Sequence, residues 1–402
     1  MEIADTTKII KCEVCDQTQL NLAFSLGEQP LCDDLKLIGS KAQAASYPIN
    51  VLLCSNCLTA HQEYQVKPEV LFHPDYHYRA KLTKDVLNGM SDLVQNLKQV
   101  KGDLNGVSVL DIGCNDGSLL DLFYAEGAKT FGIEPTQAMR DCSNEHSVIN
   151  AFFNYETAKA FKSNFGSPDI ICFTNVFAHI SDLNSLIRNL RLLIDDQTLV
   201  VIENHYLGSV VNAFQFDTFY HEHPRTYSLR SFAHIAKKLD MAIVEHSFPK
   251  RYGGNIRVIL GGSGDASKAW EQALIGDLSK EQATIEQLNL FGQKLEIWKE
   301  EFKAKLAKWQ SSGLKVAGKA FPGRASIIIN ALDLSEKDIP VIFEQVNSPK
   351  VGHYVPGTSI EIVVEEELNE YDILVNFAWH INTEITQHLR KTGFKGEVVP
   401  VI

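Results

Sequence analysis

The sequence holds no run of about eighteen apolar residues, which leaves nothing long enough to cross a bilayer as a helix. The first residues, Met1-Glu2-Ile3-Ala4-Asp5, have neither a basic nor an apolar stretch, so a cytosolic location is expected and no membrane partner. Positive charge is in short supply: 38 Lys and Arg face 50 Asp and Glu, and the net charge of −12 argues against a nucleic-acid-binding surface. Cysteine thins out after Cys57, with only Cys114, Cys142 and Cys172 beyond it, and the clustering of the other five before residue 60 points, in a reducing compartment, to metal before disulfides. Also missing are the G-x-G-x-x-G dinucleotide turn, a Walker lysine after a glycine-rich loop, and the H-E-x-x-H of zinc peptidases.

What is present is ordinary in bulk and specific in detail. An apolar share of 45% over 402 residues is more than one small core needs, so two or three domains are expected. The most informative stretch is Val107 to Leu120, where a β-branched run ends in Asp111, passes Gly113, Cys114, Asn115, Asp116 and Gly117, and restarts as an apolar helix from Ser118. Two glycines there let a ligand approach the backbone, and the helix start offers unpaired N–H groups. A second strand, Thr130 to Glu134, ends in an acid about twenty residues on, where a parallel sheet would set a carboxylate against ribose hydroxyls. Acid-x-Gly-x-x-x-Gly followed by that acid resembles the S-adenosylmethionine site of class I methyltransferases, with Asp111, Gly113, Asn115, Gly117, Glu134 and the later strand-end residue Asn175 as cofactor contacts.

Before this unit stand two C-x-x-C knuckles, Cys12/Cys15 and Cys54/Cys57. Two residues between thiolates let both sulfurs reach one ion at about 2.3 Å, and four thiolates close a tetrahedral shell, so a structural Zn²⁺ with no catalytic opening is expected. Cys32 is read as an unliganded thiol. The following segment, Phe72 to Arg79, is dense in aromatic and ionisable groups and reads equally as packing or as part of a site.

From Lys81 to Gln99 the spacing predicts one helix face, and strands are expected at Ser147–Ala151, Ile170–Thr174 and Leu199–Glu203 with helices between. Such a doubly wound, mostly parallel sheet binds ligands at the carboxyl ends of its strands. His179 follows one of those ends. Further on, Tyr220, His221, Glu222 and His223 crowd one short segment, which suits general acid–base chemistry better than a metal. Leu288, Phe291, Leu295, Trp298, Phe302, Leu306 and Trp309 form a helical stripe expected to pack on its own protein. A second α/β unit starts near Leu314, with strand candidates Ile339–Phe343, Ser359–Val364 and Tyr371–Asn376; within it Ser348 to Thr358 reads as a rigid loop whose Lys350 and Tyr354 suit a phosphate or nucleotide.

The series as a whole resembles the zinc-containing, S-adenosylmethionine-dependent sugar C3-methyltransferases that act on nucleotide-linked 4-ketosugars. The motifs that carry this are both knuckles, the glycine turn, N-V-F-A-H-I, Y-H-E-H, G-G-x-x-R and S-P-K-x-G-x-Y-x-P-G-T, in that order along the whole chain. The resemblance implies a zinc domain (1–80), a methyltransferase domain (81–262), a helical connector (263–312) and a C-terminal Rossmann-like domain (313–402). It implies that His223 takes the C3 proton, supported by Glu222 and Tyr220, that His179 bonds the oxyanion or a neighbouring hydroxyl, and that Tyr76 or Tyr78 enters from the zinc domain. Arg251, Asn255, Arg324, Lys350 and Tyr354 become the expected substrate contacts, and a monomer or weak homo-oligomer the expected state. Inversion at C3 would follow if proton removal and methylation use opposite faces.

Three positions depart from that family's pattern. Arg79-Ala80 replaces serines after the paired tyrosines, Lys319 to Arg324 replaces Y-G-A-A-A-K, and Tyr252 replaces a histidine. A competing enzyme reading is methyl transfer to oxygen or nitrogen of another metabolite; a competing binding-protein reading keeps zinc and cofactor but no catalysis.

Overall fold

The computed structural model describes residues 3–72, 79–82, 84–262 and 265–402. Tyr76 and Tyr78 lie outside the described residues. A seven-stranded sheet forms the centre, in the order Ala242–Ser247, Asn255–Gly261, Leu199–His205, Ile170–Thr174, Ser108–Ile112, Lys129–Ile133, Ser147–Ile149. The last five run parallel and the first two are antiparallel additions.

Strand alternation assigns the two faces. Val109, Ile170, Cys172 and Val201 pack under the helices Lys84–Lys101 and Ser118–Ala125 through Leu93, Leu97, Leu119 and Phe123. Leu110, Ile112, Ile171 and Phe173 face the helices Tyr155–Phe165, Leu183–Leu193 and Leu229–Lys238 through Phe161, Leu190 and Phe232. Side chains of this size contribute about 1.5–3 kcal/mol each when fully buried, so the period-two pattern fixes which face each strand shows. Chain order reverses between Ser108–Ile112 and Ile170–Thr174, and a crevice opens at their carboxyl ends.

The amino-terminal region is a four-stranded antiparallel sheet of Leu20–Pro30, Ser46–Cys54, Ala60–Gln62 and, at its edge, Arg225–Thr226 from the central unit. The carboxy-terminal sheet has five parallel strands, Glu397–Pro400, Ile373–Asn376, Val316–Lys319, Val341–Glu344 and Glu361–Val364. Beyond Glu361–Val364 it continues antiparallel through His353–Tyr354 to Lys36–Leu37, which comes from the amino-terminal region. The stretch 348–358, read from sequence as loop throughout, therefore contains a two-residue strand. Two residues carry no periodicity, which is why the pattern missed it.

Between these units run the helices Asp265–Ile285 and Phe291–Ser311. The apolar stripe packs inward: Leu288, Phe291, Leu295, Phe302 and Leu306 share one cluster with Phe24 of the amino-terminal sheet and Ile327, Ile328 and Ile329 of the last unit. Among the described residues no helix is long and apolar enough to cross a membrane.

Candidate active site

The crevice is a cavity of about 1330 Å³ whose walls come from every unit of the fold. The turn after Ser108–Ile112 takes the left-handed conformation at Gly113 (φ 74°), Asn115 (φ 51°) and Gly117 (φ 79°). A Cβ on Gly113 would stand 2.6 Å from Val176 Cγ2, so only glycine keeps this approach open. Glu134 braces the turn: its Oε2 accepts from Asn115 N at 3.0 Å and its Oε1 from Thr136 N at 2.8 Å. Asp111 is 3% exposed with Oδ1 unpartnered, and burial, followed by the Glu134 charge, pushes its carboxyl well up. Asn115 Oδ1 accepts from Ala80 N at 3.0 Å, tying the segment ahead of the long helix to the same turn.

These residues fit S-adenosylmethionine: a backbone cradle without side chains, a carboxylate at the second strand end, and an unsatisfied buried acceptor beside it. Of the expected cofactor residues, Asp111, Gly113, Asn115, Glu134 and Asn175 line the cavity. Gly117 does not; it starts the helix Ser118–Ala125 with its α-carbon against Cys142, whose Sγ a Cβ would meet at 3.1 Å.

On the same cavity wall stand three neighbouring imidazoles. His223 and His179 have ring centroids 4.8 Å apart, and His205 lies 5.3 Å from His223. His223 Nδ1 is 3.0 Å from Thr218 O and His179 Nδ1 is 2.7 Å from Glu222 O, so each Nδ1 carries the proton and donates to a carbonyl. The Tyr220 hydroxyl, 3.1 Å from His223 Nε2, donates to the bare nitrogen. Burial, reinforced by the neighbouring His179 and His205 rings, holds His223 well below the usual imidazole range. The same desolvation, helped by Arg324, brings His205 to about 3. All three rings are thus neutral near pH 7. Glu222 is 6% exposed and also lines the cavity.

The Y-H-E-H segment is clamped from outside the central unit. Gln62 Nε2 donates to His223 O at 3.2 Å, and His221 Nε2 donates to Tyr47 O at 3.0 Å. From the last unit, Arg324 pairs with Asp217 Oδ2 at 3.2 Å and donates to Thr218 Oγ1 at 3.2 Å and His380 Nδ1 at 3.1 Å. Trp379 Nε1 also donates to Asp217, at 3.1 Å. Lys350 reaches the cavity wall with Nζ 2.9 Å from Phe321 O. Ala320, in the altered Lys319–Arg324 segment, adopts φ 61°, a conformation that glycine takes without strain.

Three expected substrate contacts are placed elsewhere. Arg251 and Asn255 are buried on the Glu203 carboxylate, at 3.1 and 3.0 Å, together with Arg257 at 2.7 Å, and neither lines the cavity. A fully buried carboxylate needs such donors, and that demand, invisible in G-G-x-x-R, directs both side chains inward. Asn255 reaches the site only through Asn175, whose Oδ1 accepts from it at 3.3 Å. The Tyr354 hydroxyl instead accepts from Gly39 N at 3.1 Å. Sequence reasoning also missed Asn204, His205 and His380; the first two end the strand Leu199–His205, where the carboxyl-end rule, applied past Glu203, would have found them.

Away from the cavity, the Sγ atoms of Cys12, Cys15, Cys54 and Cys57 all lie within 4.8 Å of one another. Cys12–Cys57 and Cys15–Cys54 are 3.4 and 3.5 Å apart, close to the roughly 3.8 Å edge of a tetrahedron with 2.3 Å Zn–S bonds. Four thiolates fit Zn²⁺ and leave it no open position. Cys32 stands outside this cluster, accepting from Ser326 Oγ at 3.2 Å.

Fold and site together define an S-adenosylmethionine-dependent methyltransferase carrying a structural zinc site. Residues 77–246 match the methyltransferase domain family, 12–72 a zinc binding domain family, and 250–401 the C-methyltransferase C-terminal domain family. Along the chain the three matches follow one another as zinc binding domain, methyltransferase domain and C-methyltransferase C-terminal domain. C-methyltransferase NovU from Streptomyces niveus is 25% identical over 387 residues, covering 94% of this chain and 91% of that protein. Ubiquinone biosynthesis O-methyltransferase from Sodalis glossinidius (strain morsitans) is 30% identical over 91 residues, 22% of this chain and 36% of that one. Among solved structures, magnesium protoporphyrin IX methyltransferase from Synechocystis PCC 6803 with bound SAH covers 45% of this chain and 86% of that chain, at 18% identity and a TM-score of 0.36.

Proposed function

We propose that this enzyme methylates C3 of a nucleotide-linked 4-ketosugar, with His223 as the base that removes the C3 proton. The observation that carries the reading is the state of His223: neutral, with Nδ1–H held by Thr218 O and Nε2 turned to the Tyr220 hydroxyl, on the wall of the cavity that also contains Gly113 and Glu134. Drug-sized pockets run to about 1,000 Å³, so a cavity of about 1330 Å³ leaves room for a sugar nucleotide beside the cofactor.

Asp111, Gly113, Asn115, Glu134 and Asn175 would hold S-adenosylmethionine, which supplies an electrophilic methyl on sulfur. Before proton transfer the Tyr220 hydroxyl occupies Nε2; when substrate enters, it can turn to a sugar oxygen and free the lone pair. His179, with its proton committed to Glu222 O, offers Nε2 as acceptor to a sugar hydroxyl. Glu222 sets a negative wall that disfavours ionisation of Tyr220, whose phenol burial has already raised. Arg324 and Lys350 bring cationic groups to the wall that the last unit supplies, which suits a nucleotide diphosphate.

The test is incubation with S-adenosylmethionine and a panel of GDP-, TDP-, UDP- and CDP-linked 4-ketosugars, followed by mass detection. A product heavier by one methyl, and deuterium uptake at the ketone-adjacent carbon in D₂O, is the expected result. Methylation on oxygen or nitrogen with no such uptake would replace this reading by the heteroatom one.

A further inference from the structure

Two of the imidazoles at this site have their N–H donors committed elsewhere. His223 and His179 each spend Nδ1–H on a buried carbonyl, which leaves Nε2 of either ring an acceptor. Arg324 is divided among Asp217, Thr218 and His380, and Lys350 is bonded to Phe321 O. Removing a proton from carbon with a base as weak as these buried imidazoles requires that the resulting oxyanion meet a donor already in place.

Asn204 is placed to be that donor. It stands next to His205 in the same strand, is 1% exposed and lines the cavity, and among the described residues neither its Nδ2 nor its Oδ1 has a partner. An unpaired buried amide is costly to the folded state, and a ligand entering the cavity supplies what it lacks. We propose that Asn204 Nδ2–H donates to the ketone oxygen of the substrate and stabilises the negative charge that develops there; this rests on the ketosugar reading above. In the step, the C3–H bond breaks and its proton goes to His223 Nε2. The C–H electron pair forms the C3=C4 bond while the carbonyl π pair moves to oxygen, which accepts from Asn204. When C3 forms its bond to the methyl group the carbonyl is restored, and the methyl–sulfur pair stays on sulfur.

Asn204→Leu, of similar volume, and Asn204→Asp, which presents an acceptor, test the assignment with the ketosugar that the unaltered enzyme turns over. Loss of one oxyanion donor predicts a fall in kcat of about 10²–10³ in Asn204→Leu and at least as much in Asn204→Asp, with KM held within about threefold. S-adenosylhomocysteine affinity by calorimetry should be unchanged, and the melting temperature of Asn204→Leu should not drop, since an unpaired amide has been removed. Near-normal kcat in Asn204→Leu overturns the proposal. So does a parallel loss of S-adenosylhomocysteine binding, which would give the amide to the cofactor. If the unaltered enzyme methylates no ketosugar, the reading above fails and this assignment goes with it.

Discussion

Arg324→Met is the perturbation with the furthest consequences. The guanidinium stands 3.2 Å from Asp217, a carboxylate with 0% exposure whose other partner is Trp379 Nε1 at 3.1 Å. Breaking a buried pair from one side typically costs about 3–5 kcal/mol, because the remaining charge is left uncompensated. Burial already pushes the Asp217 carboxyl up, against the opposing pull of Arg324. Removing Arg324 raises it further, so the folded variant binds a proton that the unfolded chain releases. A raised carboxyl pKa gives stability that grows as pH falls toward the unfolded value of about 4, so the deficit of Arg324→Met should be largest near pH 8 and narrow toward pH 5. Adding Asp217→Asn should recover much of the loss, with a coupling of about 2 kcal/mol or more in a double-mutant cycle. Urea denaturation of the four proteins across that pH range is the assay. A deficit under about 1 kcal/mol, or one independent of pH, would refute the reasoning, because exposed pairs behave that way. Turnover should fall as well, since Arg324 also bonds Thr218, whose carbonyl fixes the proton on His223 Nδ1.

Other consequences are more local. His223→Asn should lower kcat by about 10²–10⁴ and abolish deuterium uptake while S-adenosylhomocysteine still binds; retained exchange would remove His223 as the base. Burial, opposed only by the Tyr47 carbonyl, lowers His221 to about 4, so its stabilising effect is complete above pH 6.5 and drains as pH falls toward 4. His221→Gln, which keeps a donor for Tyr47 O, should therefore flatten the acid limb of stability by about 1.4 kcal/mol per pH unit in that window, and parallel curves for the two proteins would count against it. Cys54→Ser should lose bound zinc and soluble yield together; a folded, metal-free, soluble variant would contradict the structural role.

Motifs whose members are close in sequence were the legible ones. Cys12/Cys15 and Cys54/Cys57 announce a metal because two intervening residues set the sulfur spacing almost regardless of context. Gly113 and Glu134 could be read because the βα turn and the next parallel strand follow from local periodicity. The crowding of Tyr220, Glu222 and His223 into one segment was visible in the same way, and the structure sets all three on the cavity wall. G-G-x-x-R did not show where its side chains go: the strand pairing His205↔Asn255 brings Arg251 and Asn255 to Glu203. The pairing of Lys36–Leu37 with His353–Tyr354 was out of reach too, since strands of two residues leave no pattern.

The sequence by itself determined the four-cysteine cluster, the glycine turn and the residue types that crowd around His223, because each is set by bonds and spacings within a few residues. Only the tertiary structure decided which imidazole nitrogens carry protons, that Arg324 is held by Asp217 and His380, and that Asn204 faces the cavity with its amide unpaired. Those outcomes depend on carbonyls and carboxylates delivered from distant segments, and partner geometry of that kind has no signature in the order of the residues.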